Sequence, residues 1–138
     1  MNKFKVTTEV RTILQDSLGI KTMVGDKIFP LVAPNGTEGD FIIYQRDGFK
    51  QEYTKMGVAR QVPTIFVTAV SDNYTRSQEL ASLIYDALEG DFVDPVMKIR
   101  MEDSTEDYES GKYFQVLQFQ LINMKRKTKI LKTMATKI

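Results

Sequence analysis

The residues best suited to chemistry are five carboxylates within eight positions, Glu102, Asp103, Glu106, Asp107 and Glu109. Carboxylate oxygens bind hard cations, and a pair of carboxyl groups can supply the acid and the base of a hydrolysis. The alternating acids and closing glutamate of a calcium loop are missing here. The composition therefore favours a solvated hairpin turn over a cation site or a catalytic pair.

Two residue types that usually carry catalysis are absent, because the sequence contains no histidine and no cysteine. Histidine is the usual general base near neutral pH and a common zinc ligand, and cysteine is required for disulfides and thiol nucleophiles. The segment Gly36–Gly39 has neither the spacing nor the lysine of a phosphate-binding loop. We therefore predict a protein that is not an enzyme and uses no cofactor and no metal. An enzyme that uses the acidic turn is the weakest alternative.

The last fourteen residues have a different charge from the rest of the chain. Residues 125–138 contain six basic residues and no acidic one, whereas the first 124 residues carry a net charge of −5. This division predicts a single domain over residues 1–124 followed by a flexible basic arm. The expected arm contacts are Lys125, Arg126, Lys127 and Lys129.

Three roles remain open for this arm. It could contact phosphates, dock on an acidic neighbouring subunit or stay disordered. Ile130, Leu131, Met134 and Ile138 lie at helical spacing, so a short amphipathic helix on a partner is a further option. The aromatic residues expected of a single-strand binder are missing from the arm.

Two helices are predicted to position these segments. Apolar residues from Val6 to Leu18 fall on one helical face, which predicts a helix over 7–18 that stops at Gly19 and is capped by Thr7 or Thr8. A second helix is predicted over 74–89, capped by Asp72 or Asn73 and followed by Gly90.

The remaining pattern is that of a sheet. Strands are predicted at 27–30 (a short edge strand), 41–45, 65–70, 97–102 and 113–124. The segment 19–39 is mainly loop, 46–62 is a flexible loop or a protruding hairpin, and 103–112 is a polar turn. The expected fold class is α+β, with an antiparallel or mixed sheet of about four to five strands and two helices packed on one face.

No apolar run near the first residues is long enough for a signal peptide, and no stretch approaches the length of a membrane helix. We therefore expect a protein that has no membrane contact and is made in a cytoplasm or carried in a particle assembled there.

One loop and the strand that follows it resemble those of a known family. The run Val24–Pro34, with its Val-Gly-Asp-x-Ile-x-Pro order, and the continuation Gly36–Arg46 resemble the phage tail-completion (tail terminator) family. The ending Ile84–Gly90 of the second helix is also similar. The resemblance covers residues 5–124 and does not include the basic arm.

The resemblance implies a structural role in the virion. Members of this family form a ring, often a hexamer, on the head-proximal end of a phage or prophage tail tube. The ring stops tube polymerisation and offers a surface to head and neck proteins, and DNA passes through it only as cargo. Such a subunit is assembled in the cytoplasm of the bacterial host and then belongs to the tail.

Two segments are the expected assembly contacts of such a subunit. They contribute Arg46, Lys50, Tyr53, Lys55 and Arg60 from the long loop, and Asp103, Asp107, Tyr108 and Lys112 from the polar turn. Two alternatives remain open at this point. One is a neck or head-closure component, and the other is a nucleic-acid-binding module that uses the basic arm.

Overall fold

The computed structural model describes residues 5–54, 57–93 and 96–123 of the chain. The helices in this part are α1 (Val6–Asp16), α2 (Leu18–Val24) and α3 (Tyr74–Leu88). The strands are β1 (Ile28–Pro30), β2 (Phe41–Thr54), β3 (Gly57–Ser71), β4 (Gly90–Val93), β5 (Val96–Glu109) and β6 (Lys112–Asn123). None of these helices has both the length and the apolar character needed to cross a bilayer.

The six described strands form one mixed sheet in the order β1-β2-β3-β6-β5-β4. The short strand β1 runs parallel to β2 at one edge, and the other neighbours are antiparallel. The α+β class and the edge position of the strand before Pro30 are therefore confirmed. The described part contains one helix and at least one strand more than the sequence predicted.

All three helices pack on the same face of the sheet. Residues two apart on each central strand point to this face and join the helices in one core, which contains Val10, Leu14, Ile42, Tyr44, Ile65, Val67, Leu80, Ile84, Leu88, Leu117, Phe119 and Leu121. The two-residue period of the strands and the three-to-four-residue period of the helices are the patterns that predicted these elements. The opposite face of the sheet carries no helix within the described part.

The first helical region is divided at Ser17, which the sequence analysis did not predict. Ser17 adopts an extended conformation with ψ of 115°, and its Oγ accepts a hydrogen bond of 3.4 Å from the N–H of Ile20. Serine caps a helix in this way, so α1 ends at Asp16, before the predicted end at residue 18, and most of α2 lies inside the segment 19–39 that was predicted as loop. Gly19 is therefore not a stop. It lies within α2, where a Cβ atom would come within 2.9 Å of Leu83. The caps of the first helix were also wrong, since its N-cap is Lys5 and has no side-chain hydrogen bond.

The strands extend far beyond their apolar segments. β2 and β3 remain paired as far as Thr54 and Gly57, so the segment predicted as loop or hairpin is a hairpin. β5 continues through Glu109, so the predicted ten-residue polar turn is strand except at Ser110 and Gly111. In the β5–β6 hairpin, residues 102–109 are exposed, and this arm is polar because neither side of it faces the core.

Candidate functional site

The two long hairpins lie at opposite ends of the sheet. β3 and β6 are antiparallel, and Tyr113 near the start of β6 pairs with Ser71 at the end of β3. The β5–β6 turn therefore lies beside the last residues of β3, whereas the β2–β3 turn follows Thr54 at the other end. The sequence analysis predicted assembly contacts in both segments. In the structure the two turns are separated by the length of the sheet.

The β2–β3 hairpin becomes a two-stranded ribbon beyond the body of the protein. β3 pairs with β6 only from Thr64 onward, opposite Gln120, and within the described part residues 57–63 pair with β2 alone. We call residues 47–63 the basic ribbon, because together with Arg46 at their base they contain four basic and two acidic residues.

The predicted contacts of this region follow the ribbon from its base to its end. Arg46 pairs with Ile65 at the base, Lys50 and Arg60 lie on paired strand positions, and Tyr53 pairs with Val58 near the turn. Lys55 lies outside the described residues.

The β5–β6 hairpin closes with a two-residue turn. Ser110 and Gly111 have φ values of 54° and 79°, and Glu109 pairs with Lys112 across them. Two successive positive φ angles are typical of a type I′ turn, whose twist matches that of the strands it joins. We call residues 102–112 the acidic hairpin, since they contain five carboxylates and one lysine.

The carboxylates of the acidic hairpin point in two directions. Asp103 and Asp107 each accept a hydrogen bond of 2.8 Å from the backbone N–H of the next residue, Ser104 and Tyr108. Glu106 lies on the other face, opposite Gln115. Within the described ranges no group of three carboxylates is placed to hold a metal ion.

Hydrogen bonds to Glu106 connect the acidic hairpin to the first turn of α3. The hydroxyl of Tyr74 donates to both carboxylate oxygens of Glu106, at 3.2 and 3.0 Å. The amide of Gln115 donates to Glu106 at 3.0 Å and to the buried hydroxyl of Ser77 at 3.3 Å. The bond to the Glu106 carboxylate raises the pKa of Tyr74 above its ordinary value, because ionisation would remove the donated proton.

A second set of contacts involves Lys112, one of the predicted assembly residues. Its ammonium group donates to Asp72 at 3.0 Å and lies 5.6 Å from the ring centre of Phe41. The hydrogen bond from Lys112 holds the pKa of Asp72 below its ordinary value. Lys112 therefore already has partners within the subunit.

A row of three tyrosine rings runs along the same face. The ring centre of Tyr113 lies 5.4 Å from that of Tyr74 and 4.7 Å from that of Tyr108. Tyr108 ends this row and keeps 58% of its surface exposed. Of the predicted contacts on this hairpin, Asp103, Asp107 and Tyr108 are exposed.

Sequence reasoning missed an ion pair at this end of the sheet, between the buried Asp40 and the half-exposed Arg76. Asp40 is 7% exposed, accepts a hydrogen bond of 2.6 Å from Ser71 and forms an ion pair with Arg76. Asn73 caps α3 as predicted, accepting from the N–H of Arg76 at 3.0 Å. Asp40 lies 36 positions before Arg76, so no local spacing in the sequence reveals their contact.

The predicted arm contacts Lys125, Arg126, Lys127 and Lys129 lie outside the described residues. The described contacts form two groups at opposite ends of the sheet, one with a basic and one with an acidic composition. The side-chain contacts described above join the acidic hairpin, the start of α3 and Asp40, the residue that precedes β2.

Comparison with known proteins identifies a shared fold. No family model matches the chain, and no curated protein matches it. Among solved structures, one chain from the "Virion of native gene transfer agent (GTA) particle" matches with a TM-score of 0.69 and 18% identity. The match covers 83% of this chain and 90% of that chain, so nearly the whole α+β domain is shared.

Proposed function

We propose that the protein is a structural subunit of a phage or prophage tail and acts by assembly, with no catalytic step. In this proposal it forms a ring, with six subunits favoured, on the head-proximal end of the tail tube. The ring terminates tail polymerisation and joins the tail to the head. The observation that carries the proposal is the shared fold with a chain of a gene transfer agent virion. The resemblance of residues 24–46 to the tail-completion family supports the same role.

The positions of the two hairpins suit a ring. A closed ring of identical subunits uses heterologous contacts, in which one patch of each subunit binds a different patch of the next. The basic ribbon and the acidic hairpin are two such patches at opposite ends of one sheet. Their opposite charges favour contacts between unlike ends and disfavour contacts between like ends.

The contacts of the acidic hairpin also support this role. Glu106 accepts a hydrogen bond from Tyr74, the first residue of α3, and Lys112 donates to Asp72, two residues before it. A surface that is already held in one conformation loses less entropy when a partner binds it. The acidic hairpin is therefore a preorganised surface, against which the ribbon of the next subunit can bind.

The decisive experiment reverses the charge of one patch at a time. One variant carries Lys50→Glu and Arg60→Glu in the basic ribbon, and the other carries Asp103→Lys, Asp107→Lys and Glu109→Lys in the acidic hairpin. Each variant alone then has two patches of the same sign. A 1:1 mixture restores opposite signs at every contact, provided that the two variants alternate around the ring.

We expect rings from the wild type and from the mixture, and none from either variant alone, by light scattering and negative-stain imaging. Circular dichroism of each variant is the control for folding. If the ring closes only on the end of a tail tube, the same four samples are mixed with tail tubes, and the length of the capped tubes is measured. Rings from either variant alone would contradict the proposed contacts.

Two other outcomes would change the functional assignment. Binding to portal or adaptor proteins, with no binding to tail tubes, would indicate a neck component. Salt-sensitive DNA binding that disappears when residues 125–138 are removed would indicate a nucleic-acid-binding module.

A further inference from the structure

A groove lies between α1 and α3 on the helical side of the molecule. It has a volume of about 540 Å³ and is closed at one end by β4 and the start of β5. Its floor is apolar and includes Ile13, Leu83, Phe92 and Met97. The groove is remote from the contacts between α3 and the acidic hairpin, since it lies along the later turns of α3.

The rim of this groove is acidic. Glu9 and Asp16 on α1 and Asp86 on α3 line it, and among the described residues no lysine or arginine does. None of these three carboxylates forms an ion pair with another described residue. An apolar floor between unpaired carboxylates is suited to a basic amphipathic segment, which can bury apolar side chains and place its ammonium groups at the rim.

The chain leaves the sheet beside this groove. Asn123, the last residue of β6, pairs with Met97, and Met97 lies on the groove floor. Fifteen residues follow Asn123, and as a helix they would extend about 22 Å. The rim of the groove along α1, from Glu9 to Asp16, is about 10 Å long. The following segment is therefore long enough to reach the groove and run along it.

The composition of this segment complements the groove. Residues 125–138 contain six basic residues and no acidic one. Ile130, Leu131, Met134 and Ile138 recur at intervals of one, three and four residues, which places them on one face of a helix. The groove thus offers both features that this segment requires, an apolar surface and negative charge.

We propose that residues 125–138 bind in the α1–α3 groove of their own molecule as an amphipathic helix. Ile130, Leu131 and Met134 pack on the apolar floor, and the basic side chains lie at the rim formed by Glu9, Asp16 and Asp86. The inference goes beyond the proposed tail function, because it concerns the subunit before any assembly. It assigns the arm an intramolecular partner in place of DNA or a neighbouring subunit.

The absence of cysteine from the full-length chain allows a direct test. Thr12 lines the groove, whereas Arg11 is exposed on another face of the same helix. The test variant carries Met134→Cys with Thr12→Cys, and its matched control carries Met134→Cys with Arg11→Cys. Disulfide formation under mild oxidation is measured on non-reducing gels over a range of protein concentrations.

We expect an intramolecular disulfide to form roughly tenfold faster in the Thr12 variant than in the Arg11 control, because docking raises the local concentration of the two thiols. The rate should not depend on protein concentration, and adding Leu131→Asp should reduce it to the control value. Equal rates in the two variants would overturn the proposal. Disulfide-linked dimers formed at a rate that rises with concentration would also overturn it and would assign the groove to the arm of a second copy.

A second measurement covers the case in which the cysteine variants fold poorly. Neutralising the rim with Glu9→Gln, Asp16→Asn and Asp86→Asn should speed trypsin cleavage within the arm by about tenfold, since three surface charge pairs are lost. The matched control neutralises Asp26, Glu38 and Asp47, which are exposed carboxylates outside the groove. Equal cleavage rates in the two triple variants would overturn the proposal.

Discussion

The basic ribbon and the acidic hairpin are both long antiparallel hairpins, but the structure supports them differently. The acidic hairpin pairs with β3 through β6 and is hydrogen bonded to residues beside and within the first turn of α3. In the described part, residues 57–63 of the ribbon pair with β2 alone. One hairpin is thus part of the folded body, and the other projects from it.

Because of this difference, we expect substitutions in the two hairpins to affect different properties, folding stability in one and assembly in the other. Substitutions beneath the acidic hairpin should change stability, because its side chains and those of α3 depend on each other. Charge substitutions on the ribbon should act mainly on assembly, because residues 57–63 pair with β2 alone in the described part and do not join the rest of the sheet. The following predictions test this separation, beginning with the largest effect.

The largest effect is expected at β6, the strand that pairs with β5 in its own hairpin and with β3 of the other hairpin. Phe119 on β6 is fully buried and pairs with Ile65 on β3 and Met101 on β5. Phe119→Ala should lower the free energy of unfolding by about 3–5 kcal/mol, since it leaves a cavity in the core. Urea denaturation followed by circular dichroism and by tyrosine fluorescence measures the loss. Two separate transitions would show that the hairpins do not share one core.

The next effect is expected at Asp40, the buried carboxylate near the acidic hairpin. Asp40→Ala leaves the hydroxyl of Ser71 without its acceptor, and Ser71 is only 1% exposed. The substitution also removes the ion-pair partner of Arg76. The cost should be about 1–3 kcal/mol, the usual penalty for a buried donor without an acceptor. Asp26→Ala is the matched control, because Asp26 is exposed. Equal denaturation midpoints for the two variants would contradict this prediction.

A smaller effect is expected at the turn of the acidic hairpin. Gly111 has a φ of 79°, and no atom lies within 4 Å of the position of an added Cβ. Gly111→Ala should therefore cost about 1–2 kcal/mol through backbone strain alone. Ser110→Asn should change little, because asparagine tolerates positive φ. Thermal denaturation compares the two variants, and a similar melting temperature for both would show that the turn is not under this constraint.

The smallest effect concerns the proton of Tyr74. The pKa of Tyr74 is raised in the folded protein. The contact with Glu106 therefore contributes stability at pH values below the ordinary tyrosine pKa of 10.0. This contribution is lost as the pH rises through the raised pKa of Tyr74 in the folded state. Glu106→Gln should lower the pKa of Tyr74 toward its ordinary value. Ultraviolet titration of tyrosinate measures the shift, with Glu109→Gln as the control. Identical titration curves would exclude this contact in solution.

The sequence predicted the elements that contact the core, because burial imposes a period on them. Leu117, Phe119 and Leu121 alternate with glutamines, and the structure places all three in the core. The apolar face of α3 was predicted for the same reason. The strand in residues 103–109 was missed because this segment contains four acidic residues and no aliphatic one, so it has no period that distinguishes it from a loop. For residues 46–62 the sequence left a loop and a hairpin both open.

The candidate site was predicted only by region. Its two segments were identified from their length and polarity, but their positions at opposite ends of the sheet depend on the pairing of β3 with β6. The contacts of Asp40 with Arg76 and of Gln115 with Ser77 join residues 36 and 38 positions apart. Such pairs follow from the tertiary fold, and a single sequence contains no local signal for them.

The pairing of β3 with β6 also determines the order in which the chain can fold during synthesis. Residues 64–71 must wait for residues 113–120, so the centre of the sheet closes only when nearly the whole domain has been made. Until then β3 is an open edge of eight residues, and unpaired edges of this kind promote aggregation. A chain that ends before Lys112 would therefore contain both strands of the basic ribbon but leave the edge of β3 unpaired. Completion of β6 thus protects the nascent subunit from aggregation.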